Sequence, residues 1–322
     1  MQMKHIAIIA LLVMTAVVIS GCSGTVTPTP TPTPVPASQY PMTVYDYYNE
    51  TATIASEPQR IVSLSAANTE TLFALGLGSK IVGIDDNSDY PAETKDVVHL
   101  GGFATLNYEK IVSLNPDLIV VQDIVGGKTA PRLREMGFQV IEVKNTNMTM
   151  VRKNIELLGK ATNTVQNATT LIADMDRKIA EVSAKMAGLN ESQKPTVLLL
   201  TGFVASKSQI YPYGNGTYGD ELLTLTGGKN AASDVIMYAV ISNEAIVKAD
   251  PDYIVIPVDG KMCTESDYNY FKNGSAPWMK DLRAVKNGKV VRVDGTLFLR
   301  AGPRLPDAGL ALARAIHPEM FQ

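Results

Sequence analysis

Cysteine is nearly missing from this chain: Cys22 and Cys263 are the only two in 322 residues. With Cys22 beside an apolar leader, Cys263 has no intrachain partner, so a disulfide scaffold is excluded. Histidine is as scarce, at His5, His99 and His317, too few and too far apart in sequence for a histidine-rich zinc site. Neither sign of charge dominates. The 29 Lys and Arg stand against 32 Asp and Glu, a net charge of −3, and nucleic-acid binding lacks its electrostatic footprint. No G-x-x-x-x-G-K-[ST], H-x-x-E-H or G-x-S-x-G run occurs, which removes the phosphate loop and two common hydrolytic motifs. Beyond the first twenty residues there is no long apolar run.

What is present begins at the N-terminus. Lys4 and His5 precede an apolar run from Ile6 to Ile19, then Ser20-Gly21-Cys22 and a Thr-Pro repeat from Thr27 to Pro34. The run is short for a membrane span, which needs roughly 20 apolar residues, and near the length of a signal h-region. The order reads as a signal peptide over 1–21, lipid attachment at Cys22, and a Pro-stiffened tether over 22–39. An uncleaved anchor is the alternative, and either arrangement puts the remainder outside the cytoplasm. Asn-x-Ser/Thr triplets at Asn49, Asn147, Asn167, Asn190, Asn215 and Asn273 permit glycosylation.

From 40 onward, strand-like and helix-like runs alternate over short loops. Arg60–Ser65, Ile81–Ile84, Leu118–Val121 and Phe138–Val143 read as strands, with helices over Asn68–Gly76, Asn107–Leu114 and Ala130–Met136. The pattern predicts an N-terminal lobe over 40–148 with a parallel-rich sheet. Residues 149–188 contain no proline and only Gly159 before Gly188. Apolar residues recur there at helical spacing, which predicts one long linking helix of more than about 50 Å, frayed near Gly159–Thr164. The alternation restarts over 189–322 with strands at Thr196–Leu200, Tyr253–Ile256 and Val290–Val293. The fold class is therefore α/β, with two Rossmann-like lobes joined by one backbone helix and a ligand cleft between them. The two halves share an echo: Tyr108-Glu-Lys-Ile-Val-Ser-Leu-Asn-Pro-Asp-Leu-Ile-Val-Val121 parallels Asn243-Glu-Ala-Ile-Val-Lys-Ala-Asp-Pro-Asp-Tyr-Ile-Val-Ile256.

Ser63 and Ser65 end a strand without an evident base and read as capping or ligand-bonding groups. The acidic run Asp85-Asp86-Asn87-Ser88-Asp89 does not match an EF-hand loop and reads as a cleft rim. No paired acid and base or activated nucleophile stands out, so the chain reads as a binder and not an enzyme.

Several ordered segments resemble the class III periplasmic substrate-binding proteins of ABC importers for corrinoids, haem and ferric siderophores. They include Arg60-Ile-Val-Ser-Leu-Ser-Ala-Ala-Asn-Thr-Glu70, Ile81-Val-Gly-Ile-Asp-Asp-Asn-Ser-Asp-Tyr-Pro91 and Leu114-Asn-Pro-Asp-Leu-Ile-Val120. Gly219-Asp-Glu-Leu-Leu-Thr-Leu-Thr-Gly-Gly228, Trp278 with Val285–Val290, and His317-Pro-Glu-Met-Phe321 continue the series. The resemblance implies a monomer with no intrinsic cofactor or metal, carrying a corrinoid or ferric chelate to a permease dimer and its cytoplasmic ATPase. It assigns one acidic residue per lobe, Glu70 and Glu221, to permease arginines. Ligand contacts are expected from Ser65, Asn68, Asn87, Phe103, Tyr211, Tyr213, Trp278 and Arg300. Phe103, Tyr213 and Trp278 would face a flat macrocycle, Tyr211 or Tyr213 would ligate haem iron, and Arg300 or Arg304 would meet an anionic chelate. Asn87 stands where corrinoid binders carry an aromatic contact, a departure from that pattern. A surface sensory module on the same fold is the rival reading.

Overall fold

The computed structural model describes residues 39–102, 104–122, 127–204 and 209–321. The signal, Cys22, the tether up to Ser38 and Phe103 lie outside them. The chain divides into Met1–Ser38 and a compact unit, Gln39–Gln322.

That unit opens with an antiparallel hairpin, β1 (Met42–Tyr45) and β2 (Thr51–Ile54). The N-lobe follows: β3 (Ile61–Leu64), α1 (Ala66–Ala74), β4 (Ile81–Ile84), β5 (Val98–His99), α2 (Tyr108–Ser113), β6 (Leu118–Val121), α3 (Thr129–Glu135) and β7 (Val140–Glu142). Its five strands are parallel in the order β5-β4-β3-β6-β7. Two helices come next, α4 (Met148–Ala161) and α5 (Val165–Met186). The C-lobe holds β8 (Thr196–Val204), β9 (Gln209–Pro212), α6 (Tyr218–Leu225), β10 (Lys229–Asn230), α7 (Asn243–Ala249), β11 (Tyr253–Val258), α8 (Glu265–Lys272), α9 (Arg283–Lys286), β12 (Val290–Asp294), α10 (Gly295–Phe298) and α11 (Leu305–Ile316). Its sheet runs β10-β8-β11-β12 in parallel, with β9 antiparallel on β8.

The central strands are apolar on both faces, as a covered parallel sheet requires. Alternate residues divide between faces: Leu118 and Val120 enter one apolar cluster, and Ile119 and Val121 another. In the C-lobe Val197, Leu199 and Val255 join the first cluster, while Leu198, Leu200 and Ile254 build an outer one. The first cluster runs through both lobes, carried by Ile155, Leu158, Met175 and Leu312 of α4, α5 and α11.

The expected single helix over 149–188 is two. Asn163 takes φ 59° in the break, and the Thr164 N–H donates to Gly159 O at 2.8 Å. The chain doubles back there. Arg152 Nε reaches Asp176 Oδ1 at 2.7 Å, whereas 24 residues of straight helix would set them about 36 Å apart. A Cβ on Gly159 would lie 2.5 Å from Ala168 Cβ, so glycine permits the close crossing. α4 therefore packs on the N-lobe, and α5, 22 residues and about 33 Å long, runs beside α11 and α6 of the C-lobe.

The echo between halves is structural. Asn115 and Asp250, which correspond in it, both adopt left-handed backbone, at φ 44° and 39°. Two residues later Asp117 accepts from Gln59 N and Arg60 N, at the start of β3. Asp252 likewise accepts from Thr196 N at the start of β8. Each unit thus lays its strand, β6 or β11, beside the first strand of its lobe.

Candidate functional site

Sheet order reverses between β3 and β6 in one lobe and between β8 and β11 in the other. Ligands of open α/β sheets bind outside the carboxyl ends of strands near such points. At the N-lobe reversal the Ser65 hydroxyl accepts from Asn68 N and donates to Gln122 Oε1, which starts α1 and ties it to the end of β6. Beside it a buried hydroxyl chain links Ser63, Thr69 and Ser88 to Asp85. Burial pushes the Asp85 carboxyl up, and the Ser88 hydroxyl pulls the other way. This inward anchoring turns Asp86, Asn87, Asp89 and Tyr90 outward along the rim, at least partly exposed.

The C-lobe answers with two loops. After β11, Asp259 Oδ1 accepts from the backbone N–H groups of Lys261, Met262 and Cys263 and fixes a tight turn. That turn leaves Met262 58 % exposed and sends Lys261 Nζ to Asp89 at 3.4 Å. After β12 and α10, Arg304 grips Glu70 with Nε at 2.9 Å and Nη2 at 2.6 Å and lies over the Tyr90 ring at 3.7 Å. Arg300 pairs with Asp89 and approaches Glu70 to 3.7 Å. Gly302 faces the Ala67 carbonyl and the Glu70 carboxylate closely enough that a Cβ would touch both at 3.5 Å. The carboxyl edges of both sheets thus meet across a charged junction. Among the described residues, no group of three or more His, Cys, Asp or Glu side chains is placed to hold a metal ion.

Several expected site residues are elsewhere. Glu70 is 4 % exposed; burial is the largest influence on its carboxyl and pushes it up, against Arg304 and Arg300. Glu221 is half-buried and accepts the Met148 N–H at 2.7 Å, capping α4 across the lobe boundary. Both carboxylates are thus engaged within the protein. Tyr213, 1 % exposed, donates to Phe298 O at 2.6 Å and packs edge-on against Tyr218. Burial holds its phenol well above the usual range and lifts Tyr218 to about 12, so Tyr213 is core and no iron-binding phenolate. Tyr211 spends its hydroxyl on Gln209. Trp278 is half-buried against the outer C-lobe cluster, in the 3₁₀ turn Pro277–Met279 that packs on α7 and leads toward α9 and the amino end of β12. It stands away from the carboxyl edge. Ser65 and Asn68 are buried, and Asn68 Nδ2 has no hydrogen-bond partner among the described residues. Asn87 sits on the rim and Arg300 in the junction. Cys263 is buried and its thiol is pushed up to about 12, chiefly by burial, which makes it unreactive.

Sequence reading placed Asp89 on the cleft rim without a partner and passed over Tyr90 and Lys261. Their loops follow strands, the one signal available. It also passed over the G-x-G-x-x-G spacing of Gly214-Asn-Gly-Thr-Tyr-Gly219. That run follows antiparallel β9, and its glycines serve packing: a Cβ on Gly214 would lie 2.3 Å from Val235 O, and one on Gly219 2.2 Å from the Tyr213 ring. Its Gly214, Asn215 and Thr217 amides bond to backbone carbonyls, and Asp220 and Glu221 occupy the first turn of α6. A phosphate would find no free donors among these and two repelling charges.

Comparison with known proteins agrees with this architecture. Residues 61–297 match the periplasmic binding protein family. An ABC transporter substrate-binding lipoprotein of Bacillus subtilis, YvrC, is 32 % identical over 99 % of each chain. A cobalamin-binding protein of Halobacterium salinarum is 27 % identical over 96 % of this chain and 83 % of its own. The solved structure of a periplasmic haem-binding protein from Pseudomonas aeruginosa superimposes with TM-score 0.72 at 29 % identity, covering 81 % of this chain and 93 % of that one. The fold and junction define a two-lobed α/β binding protein. The chain belongs to the periplasmic binding protein family.

Proposed function

We propose that the protein is the extracytoplasmic substrate-binding component of an ABC importer, taking a corrinoid or an iron chelate between its lobes and passing it to a membrane permease. The observation that carries this is the meeting of two carboxyl edges, with the loops after β3, β4, β11 and β12 facing each other. The charged groups there engage one another, an arrangement for holding lobes and cargo and not for moving protons. A corrinoid comes first, supported by the Halobacterium relative that spans nearly the whole chain. Met262 offers a macrocycle a soft apolar contact. A ferric chelate is favoured by the guanidinium group of Arg300, which suits an anionic complex. Haem fits less well, because Tyr213 is spent in the core.

Lipid attachment at Cys22 would hold the monomer at the outer membrane face, and the lipoprotein relative supports it. For the permease we assign Glu109 and Glu244. Each is the second residue of the repeated helix-turn-strand unit, one per lobe, and each is exposed. Both helices run back to the amino end of a parallel strand, so both start at the carboxyl edge of their sheet. Bonds from its own backbone N–H and from Ser242 hold the Glu244 carboxyl below its usual range, keeping it charged.

Titrating the detergent-solubilised full-length protein with cyanocobalamin, haemin and a panel of ferric siderophores tests the cargo. Submicromolar affinity is expected for one class; no binding to any would overturn the assignment.

A further inference from the structure

Arg300 has an unusual set of neighbours. Its side chain is 9 % exposed, and its strong partner, Asp89, comes from the opposite lobe on a loop where it is 47 % exposed. A buried guanidinium persists only with a counter-charge. Glu70 fills that role only in part, because both its oxygens are bonded to Arg304. Arg300 Nη1 comes only to 3.7 Å of Glu70 and has no hydrogen-bond partner among the described residues. Asp89 therefore keeps Arg300 compensated, and Lys261 reaches the same carboxylate. Any parting of the lobes that admits cargo at this junction draws Asp89 away and leaves the guanidinium without its strong partner, with only Glu70 at 3.7 Å.

We propose that Asp89 stands in for an anionic group of the cargo: a carboxylate or phosphate on the ligand takes its place on Arg300, and Arg300 selects cargo that carries one. The inference rests on the cargo reading above. It divides the cleft into two parts. The Glu70–Arg304 pair, enclosed beneath Tyr90, stays as a pivot, while the Asp89–Arg300–Lys261 group exchanges one anion for another. Neutral cargo would have to leave Arg300 bare, which makes Arg300 a filter as well as a contact.

The shared chemistry is an oxyanion on a metal macrocycle, and paired probes separate its sources. Cyanocobalamin carries a phosphate diester that dicyanocobinamide lacks; haemin carries propionates that its dimethyl ester masks. Dissociation constants of all four are measured on full-length wild type, Asp89→Asn and Arg300→Gln, with thermal melts to confirm folding. Within the pair that binds, the anionic probe should bind at least about tenfold tighter than its neutral analogue. Asp89→Asn, a change on a half-exposed loop, should tighten both probes by about tenfold, because neither then has to displace the internal competitor, and should keep the anionic probe's advantage. Arg300→Gln should erase the difference between the probes. Equal affinity for both members of the pair, or an anionic probe indifferent to Asp89→Asn, would overturn the stand-in role while leaving the cargo reading intact. Binding of none of the four would overturn corrinoid and haem as cargo, and this inference with them.

Discussion

A glutamate near a helix start serves as a docking charge only while its carboxylate reaches solvent. Glu70 lies in the second turn of α1 beneath Arg304, and Glu221 is spent on the Met148 N–H. Glu109 and Glu244 keep theirs exposed. With the cognate permease and ATPase in vesicles, Glu109→Gln with Glu244→Gln should cut uptake by about tenfold or more while cargo affinity holds. Uptake at the wild-type rate would remove that assignment. Glu70→Gln should behave differently, leaving Arg304 unpaired and costing about 3–5 kcal/mol of stability, read from the denaturation midpoint. Nothing local distinguishes these glutamates in the sequence. What separates Glu70 is Arg304, 234 residues away; Tyr213 is withdrawn by a carbonyl 85 residues on. Such partners belong to the folded chain, which is why the site was less legible than the strands leading to it.

At the scale of elements, strand and helix runs were readable because short apolar stretches alternate with capped helices. Ser65, Asn107, Thr217 and Ser242 each accept the backbone N–H expected of an N-cap. The sequence marked a weak point at Gly159–Thr164 but not a full break between α4 and α5, since Thr162-Asn163-Thr164 carries no proline or glycine and helical spacing continues past it. The decisive features are the left-handed Asn163 and the contact of Gly159 with Ala168. Gly159→Leu should therefore cost about 1–3 kcal/mol through overpacking. Combining it with Ala168→Gly should recover part of the loss, a coupling that a double-mutant cycle in denaturant measures. Strictly additive effects would argue against the crossing. Asn167 secures the same corner by donating to Leu75 O.

For the whole molecule, one apolar cluster passes through both lobes by way of α4, α5 and α11. Close-packed interiors do not deform continuously, so the lobes have little freedom to swing apart. Opening is then a matter of loops and ion pairs at the junction: Glu70–Arg304 holding, Asp89 with Arg300 and Lys261 exchanging. The repeated units fit that plan, since each carries an exposed glutamate at its second residue and ends in a strand beside the reversal point of its sheet. Elsewhere, Lys178, Val182, Lys185, Leu310, Arg314 and Phe321 line a groove between α5 and α11. Hydrogen exchange of the full-length protein, with and without the corrinoid or iron chelate that binds it, separates the two. The account predicts added protection in both lobes together, at 65–68, 86–90, 259–263 and 299–304. Protection confined to one lobe, or centred on the groove between α5 and α11, would contradict capture between the carboxyl edges.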